Sequence, residues 1–275
     1  MHSTTSRARM GMLMMIVILL GLRFDALAWI VPLAGWLCAM AAVFEIHKMA
    51  QHTGAPHNLP LALTGAAAFF AAGLFPAQMF PQIFLAFLLV MLLGVFSFFM
   101  LLHGFTGSLT GVPLTLFSAL YTAMPMALGY QILASDKLYF LFLLILVWTS
   151  DIAAYYTGRL LGKHKMSPRI SPNKTWEGSL GSVLGCLAAG AVFKSLMPAA
   201  AFSLGWNETI IASALIAVFA QIGDLAESSL KRDAGVKDSG VTLMGHGGVL
   251  DRIDSLLFSF VAFYLMLAVQ GRIEF

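Results

Sequence analysis

The feature that most constrains this chain is a long segment without charge. From Leu59 to Ser135 the sequence contains no Asp, Glu, Lys or Arg. Charged residues make up 11% of the whole chain and hydrophobic residues 59%, whereas about a quarter of an average soluble domain is charged. Inside a bilayer the backbone must satisfy its own polar groups, which helices do within one segment. We therefore predict an all-α, polytopic integral membrane protein.

Polar breaks divide the sequence into apolar runs of helical length. We predict nine transmembrane helices near residues 10–24, 26–44, 59–76, 81–102, 109–130, 138–158, 178–198, 207–227 and 249–270. The first run, Met10 to Leu22, is shorter than the roughly 20 residues that a perpendicular span needs, so the count is eight if it does not cross. Residues 1–140 would form a scaffold that could also dimerise, and residues 141–275 a catalytic region.

Lys and Arg concentrate in two connections, after the sixth and after the eighth predicted span. An even number of spans separates these connections from each other and from Arg7 and Arg9. The positive-inside rule therefore predicts that all three segments are cytoplasmic. Cys38 and Cys186 both lie in apolar runs, which indicates neither a disulfide framework nor a thiol metal site.

Carboxylates cluster at the same predicted face. Asp151 ends the sixth span, Asp224 and Glu227 end the eighth, and Asp251 and Asp254 begin the ninth. The three-residue spacing within each of the two pairs puts both acids on one side of their helix. Oxygen ligands beside Lys and Arg suit a magnesium-assisted phosphoryl or nucleotidyl transfer, so we predict that these acids bind the metal. Simpler readings stay open: helix capping for Asp251 or Asp254, and for Asp224 an ion pair with Lys231 or Arg232.

Two polar segments could contact a phosphorylated substrate. Gly245, His246, Gly247 and Gly248 precede the ninth span, where backbone amides at a helix start favour an anion, although a structural His246 is equally compatible with the sequence. The second segment is SPNKTWEG, residues 171–178. Its Lys174 could pair with a phosphate oxygen, whereas Trp176 is explained as well by anchoring at the membrane surface.

A longer pattern connects these elements: Leu230-Lys231-Arg232, Lys237-Asp238, Gly240, His246-Gly247-Gly248, Asp251-Arg252 and Asp254. This pattern resembles the signature of the phosphatidate cytidylyltransferase family, the CDP-diacylglycerol synthases. SPNKTWEG is similar to a second block of that family, together with Asp151, Tyr155, Gly158, Arg159 and Gly162. The resemblance covers roughly Asp151 to Ser255. Met244 stands where family members usually carry Pro, so we expect a looser loop there.

The resemblance implies a homodimeric enzyme of a bacterial inner membrane that converts CTP and phosphatidate into CDP-diacylglycerol and pyrophosphate. Its active site would face the cytoplasm, and no nucleic acid would be a partner. Mg²⁺ would be the cofactor, with K⁺ as a candidate second cation, and the implied ligands are Asp224 and Asp251, with Glu227 and Asp254 as further candidates. The implied catalytic residues are Asp224, Lys231, Arg232, Lys237, Asp238, Asp251 and Arg252. The implied substrate-binding residues are Ser171, Lys174, Thr175, Trp176, Glu177, His246, Gly247 and Gly248.

Two other functions remain open at this stage. A CTP-dependent polyprenol or phytol kinase would need the same membrane pocket, magnesium and nucleotide, but would transfer the γ-phosphoryl group. An ion-coupled transporter would also keep carboxylates within its helices. Its acids would be expected near the middle of the bilayer, whereas the predicted third to fifth spans carry no charge.

Overall fold

The computed structural model describes residue 18 and residues 20–103, 107–240 and 247–273. These residues form eight α-helices, a short 3₁₀-helix (Asp25–Leu27) and one short antiparallel pair of strands. The helices are α1 (Ile30–Thr53), α2 (Leu59–Ala72), α3 (Phe80–His103), α4 (Ser108–Ser135), α5 (Lys137–Leu161), α6 (Trp176–Leu196), α7 (Trp206–Asp233) and α8 (Leu250–Val269), and the strands are β1 (Lys165–Ser167) and β2 (Ser171–Thr175). Seven helical segments in the described ranges are long and apolar enough to cross a membrane, and α2 is shorter. The prediction of an all-α polytopic membrane protein is confirmed.

Each predicted span from the second to the ninth corresponds to one helix. Nine of the fifteen residues of the first predicted span, 10–17 and 19, lie outside the described residues, so the ninth crossing stays a prediction. The largest error in a boundary is at α1, which continues to Thr53 instead of ending near residue 44. The prediction ended the span before Glu45, but this carboxylate is fully buried inside the protein, where it is paired by hydrogen bonds.

Polar side chains define the helix starts that lie at turns. Asn58 accepts a hydrogen bond from the backbone of Leu61 at the start of α2, and Asp136 accepts one from Leu138 at the start of α5. Thr175 accepts a hydrogen bond from Gly178 N and caps α6. Each cap satisfies an amide that has no partner within its own helix. The cap at Thr175 fixes the point at which β2 turns into α6.

Two connections lie at one end of the molecule, which we call the charged end. They are residues 162–175 between α5 and α6, and residues 234–240 and 247–249, the described parts of the connection between α7 and α8. The end of α7 contacts the first of these connections, because Arg232 Nε donates to Ile170 O at 3.1 Å. The opposite end carries the connection between α6 and α7, and there Arg272 pairs with Glu208 at 3.0 Å. Helix α4 lies in the interior and packs against α1, α2, α3, α5 and α8.

Small residues bring α5 and α6 into close contact. A Cβ atom added to Gly178 would lie 2.9 Å from Ala154 O and 3.2 Å from Gly158 Cα, and one added to Gly181 would collide with Thr157. Small residues at such spacing are typical of helices that approach closely within membranes. This close approach places the strand pair, which joins the two helices, directly over the neighbouring helices.

Candidate active site

A cavity of about 620 Å³ lies at the charged end. This volume is within the range of about 300–1,000 Å³ that is usual for small-molecule sites. Its walls come from α5, the strand pair, the first turn of α6, α7 and the start of α8. The lining residues are Asp151, Ala154, Tyr155, Gly158, Arg159, Lys165, Met166, Ser171, Asn173, Lys174, Thr175, Gly178, Ser179, Gln221, Asp224, Asp251, Asp254 and Ser255.

The lining combines four aspartates with three cations, Arg159, Lys165 and Lys174. Three of the aspartates, at positions 151, 224 and 254, lie close enough together to repel one another electrostatically. Asp151 precedes the end of α5 by ten residues, which is about 15 Å along a helix. The cavity therefore extends from the charged end into the membrane-spanning part of the bundle.

A glycine explains how Asp224 and Asp254 come together on different helices. Gly223 precedes Asp224 on α7, and its Cα packs directly against the backbone of Asp254 on α8. A Cβ atom at Gly223 would lie 3.2 Å from the carbonyl carbon of Asp254 and would collide with its oxygen. Because only a hydrogen fits there, α7 and α8 approach closely enough for both carboxylates to face one cavity.

Lys174 on β2 is the ion-pair partner of Asp224. Its Nζ lies 2.8 Å from Asp224 Oδ2 and 3.4 Å from Gln221 O. The alternative reading, in which Asp224 pairs with Lys231 or Arg232, is therefore wrong, because the strand pair folds back over α7 and supplies a different cation. Both side chains remain partly exposed to the cavity, Lys174 at 22% and Asp224 at 37%. This ammonium group is thus positioned where an incoming phosphate could reach it.

Lys231 belongs to a second, more buried ion-pair network. Its Nζ pairs with Asp251 Oδ1 at 2.6 Å and with Glu227 one turn earlier on α7. Glu227 is fully buried and is not part of the cavity wall, so its predicted role as a metal ligand has no support in the arrangement of the described residues. Asp251 does line the cavity, with Lys231 holding its carboxylate in place.

The amides that begin α8 already bind carboxylates of the protein. Gly248 N donates to Asp251 Oδ2 at 2.8 Å, and Val249 N and Leu250 N donate to Glu45 at 2.8 and 2.9 Å. These amides therefore bind the protein's own carboxylates, and the predicted contact of Gly248 with a substrate phosphate stays a prediction. Gly247 has φ of +86°, a conformation that favours glycine. His246 and Met244 lie outside the described residues, so their predicted roles are untested.

The remaining predicted residues divide into two groups. Ser171 and Thr175 line the cavity with Lys174. Trp176 is 58% exposed, as expected of an anchor at the membrane surface, and Glu177 pairs with His164 Nδ1 at 2.6 Å. Trp176 and Glu177 are not part of the cavity wall. The same holds for four exposed residues at the charged end: Arg232, Lys237, Asp238 and Arg252.

Sequence reasoning assigned no role to two acids that the structure places at or beside the site. Asp151 was recognised as one of the clustered acids, and its position deep in the cavity is new. Glu45 was missed altogether, although a lone carboxylate inside an apolar run, at membrane depth, is itself a signal of function or of a buried partner.

The cavity offers oxygen ligands to a divalent cation. In the described ranges no group of three or more His, Cys, Asp or Glu side chains is arranged to hold a metal ion. Magnesium requires fewer protein ligands, since it commonly takes one or two carboxylates and completes its shell with water and substrate phosphate. The aspartates of the cavity supply oxygen donors whose mutual repulsion a cation would relieve, so these residues fit a magnesium ion that binds together with a phosphorylated substrate.

Comparison with known proteins identifies relatives for part of the chain. Over 147 residues it is 45% identical to the phosphatidate cytidylyltransferase of Brucella suis biovar 1 (strain 1330), an alignment that covers 52% of this chain and 53% of the relative. Over 131 residues it is 41% identical to the phosphatidate cytidylyltransferase of Bacillus subtilis (strain 168), covering 48% of each. The chain thus spans about half the length of the curated relatives it matches.

A family profile extends this similarity through almost the whole sequence. The profile of the cytidylyltransferase family matches residues 5–270 and so includes the helices of the N-terminal part as well as the cavity. Since the match covers far more than half of the residues, the resemblance noted from the sequence is confirmed: this chain belongs to the cytidylyltransferase family.

Proposed function

We propose that this chain is a CTP:phosphatidate cytidylyltransferase, which forms CDP-diacylglycerol and pyrophosphate in phospholipid biosynthesis. The observation that carries the proposal is one cavity, inside a membrane-spanning bundle, whose wall combines clustered aspartates with Arg159, Lys165 and Lys174. A lipid phosphate and a nucleoside triphosphate could both bind in this cavity at the bilayer surface. The similarity to phosphatidate cytidylyltransferases of two bacteria supports the same reaction.

The reaction joins two anions. An oxygen of the phosphatidate phosphate would attack the α-phosphorus of CTP, forming a new P–O bond while the bond from the α-phosphorus to the bridging oxygen of the β-phosphate breaks. Pyrophosphate leaves with that electron pair. Because a phosphate monoester is already ionised at neutral pH, no general base is required. What the site must supply is in-line positioning and positive charge.

The residues of the cavity suit these two tasks. Lys174 would exchange Asp224 for a triphosphate oxygen, and Arg159 and Lys165 would bind further phosphate oxygens of the two substrates. Asp224, Asp251 and Asp254 would hold Mg²⁺, with K⁺ as the candidate second cation. A bound metal would neutralise charge on the phosphates. Lys231 would keep the Asp251 carboxylate in one orientation.

The proposed location follows from the charge distribution. Cations concentrate at the charged end: Lys163, Lys165, Arg169 and Lys174 lie between α5 and α6, and Lys231, Arg232 and Lys237 lie in the last turn of α7 or shortly after it. This distribution supports a cytoplasmic orientation in a bacterial inner membrane. CTP would then reach the cavity from the cytoplasm and phosphatidate from the bilayer. The homodimer implied by the family resemblance stays a prediction, which chemical crosslinking in native membranes would test.

The decisive experiment follows the label from CTP. Purified full-length protein in lipid nanodiscs that contain phosphatidate should transfer label from [α-³²P]CTP into a lipid product when Mg²⁺ is present. Chelation of Mg²⁺ should stop the transfer, and its return should restore it. Label that enters lipid from [γ-³²P]CTP but not from [α-³²P]CTP would refute the proposal and identify a CTP-dependent lipid kinase.

A further inference from the structure

Glu45 is a buried carboxylate of α1 that contacts the C-terminal half of the chain. It lies eight residues before the end of α1 and has no exposed surface. Its Oε1 accepts a hydrogen bond from Val249 N at 2.8 Å, and its Oε2 accepts hydrogen bonds from Leu250 N and Ser239 Oγ, each at 2.9 Å. These donors are about 200 residues away in sequence and lie at the start of α8 or just before it.

The site around Glu45 is shaped to receive this carboxylate. The first amides of a helix lack partners within the helix and form its positive end, so a carboxylate placed there is stabilised by hydrogen bonds and by the helix dipole. Gly240 and Gly248 leave the space that the side chain fills. A Cβ atom at Gly240 would lie 2.9 Å from Glu45 Oε1, and one at Gly248 would lie 2.8 Å from Glu45 Cδ.

A single hydroxyl connects Glu45 to the wall of the cavity. Ser239 Oγ lies 2.9 Å from Glu45 Oε2 and 3.0 Å from Asp251 Oδ2, so its one hydrogen is placed between two carboxylates. Ser239 N also donates to Asp251 Oδ2, at 3.2 Å. Asp251 in turn pairs with Lys231 on α7. Contacts therefore run without a gap from α1, through the loop and α8, to α7.

We propose that Glu45 is a positioning residue for the active site: it fixes Ser239 and the first turn of α8, and thereby holds Asp251 and Asp254 toward the cavity. Glu45 itself does not line the cavity. The kinetic part of this inference rests on the proposed cytidylyltransferase reaction, whereas its structural part does not. The scaffold of the N-terminal half thus has a direct part in the geometry of the site.

The chemistry of the contacts selects the informative variant. Both carboxylate oxygens accept hydrogen bonds, so in Glu45→Gln an NH₂ group must face at least one N–H or O–H donor. The side chain keeps its volume while one acceptor becomes a donor. A matched control is Glu208→Gln, because Glu208 also accepts a hydrogen bond from a backbone amide at a helix start, Gly205 N at 2.6 Å, but at the opposite end of the molecule.

The experiment compares wild type, Glu45→Gln and Glu208→Gln in nanodiscs by hydrogen–deuterium exchange and by steady-state kinetics. In Glu45→Gln we expect about tenfold faster exchange in peptides that cover residues 247–253, and a kcat about 10–100-fold lower with KM for CTP changed less than about threefold. Glu208→Gln should leave both the exchange of this segment and kcat as in wild type.

The outcomes separate the inference from the proposed function. Unchanged exchange at residues 247–253, or faster exchange with wild-type kcat, overturns the positioning role. If Glu45→Gln does not fold, Ser239→Ala takes its place: it removes the shared hydroxyl alone and should lower kcat about tenfold, and a wild-type kcat in that variant overturns the inference. A wild-type protein without cytidylyl transfer refutes the proposed function, while the exchange comparison still tests the contacts of Glu45.

Discussion

The bundle formed by α5, α6, α7 and α8 has packed aromatic rings at one end and a cavity lined by charged residues at the other. At the end away from the charged connections, Phe142 packs against Phe193, Phe202 and Phe263 with ring centroids 5.2 to 6.0 Å apart, and all four rings are buried. Nine residues further along α5, Asp151 faces a cavity that contains three other aspartates. The same helices are therefore closely packed at one end and separated around charge at the other.

This difference shows how the bundle can hold repelling groups together. Within a bilayer, helices associate through close packing and hydrogen bonds, because lipid is as apolar as a hydrophobic side chain. The aromatic end supplies such packing, and the glycines along α5, α6 and α7 keep the backbones close. The aspartates destabilise the charged end by their mutual repulsion. We infer that the aromatic end supplies stability that offsets this repulsion.

The sharpest test of this contrast removes one charge from the cavity. Asp224→Asn should lower cytidylyl transfer at least about 100-fold, because the variant loses a proposed metal ligand and the partner of Lys174. Folding should be retained, since relief of carboxylate repulsion offsets the lost ion pair. The assay is label transfer from [α-³²P]CTP, combined with gel filtration and thermal unfolding in detergent.

Asp233→Asn is the control for this variant, because Asp233 is on the same helix but is exposed and outside the cavity wall. It should retain wild-type transfer. Near-normal turnover in Asp224→Asn, with the protein folded, would show that this carboxylate is not needed for the reaction.

At the aromatic end the expected effect is on stability. Phe142→Ala should lower the free energy of unfolding by about 2 kcal/mol or more, because it leaves a cavity among three packed rings. Transfer activity per folded molecule, measured well below the unfolding temperature, should stay within about twofold of wild type. Phe96→Ala is the control, since Phe96 is 55% exposed on α3. Equal unfolding temperatures for the two variants would contradict the proposed division of roles.

Some features of the fold and of the site can be predicted from the sequence because residues close together in the chain determine them. Helices follow from local hydropathy, so eight of them were predicted near their positions. The clustered acids at 151, 224, 251 and 254 were recognised because charge is rare in this sequence. The convergence of Asp224 with Asp251 and Asp254 follows from the connectivity, since two antiparallel helices joined by one loop must meet at that loop.

The features that could not be predicted depend on contacts between distant segments. The pairing of Lys174 with Asp224 requires the strand pair to fold back over α7. The local sequence does not indicate the direction in which the strand pair folds. The role of Glu45 depends on Val249 and Leu250, which share no periodicity with it. Hydropathy was misleading at Glu45. It predicted that the helix ends before this charged residue, whereas Glu45 is buried within α1.

The smallest expected effect concerns the contact between α5 and α6, just below the cavity. Gly181→Ala should lower the free energy of unfolding by about 1–3 kcal/mol, because its methyl group collides with Thr157. Thr157 cannot easily move, since its hydroxyl donates to Ala153 O at 2.6 Å. Separation of the helices should also lower transfer activity a few-fold, because Asp151 and Lys174 lie on opposite sides of this contact.

Gly94→Ala separates this steric effect from helix propensity. A Cβ atom at Gly94 on α3 meets nothing within 4 Å, so the substitution should stabilise the helix by about 0.5–1 kcal/mol and leave activity unchanged. Thermal unfolding and label transfer, measured on both variants, distinguish the steric effect from the change in helix propensity. If Gly181→Ala is as stable and as active as Gly94→Ala, the close approach of α5 and α6 does not determine the shape of the cavity.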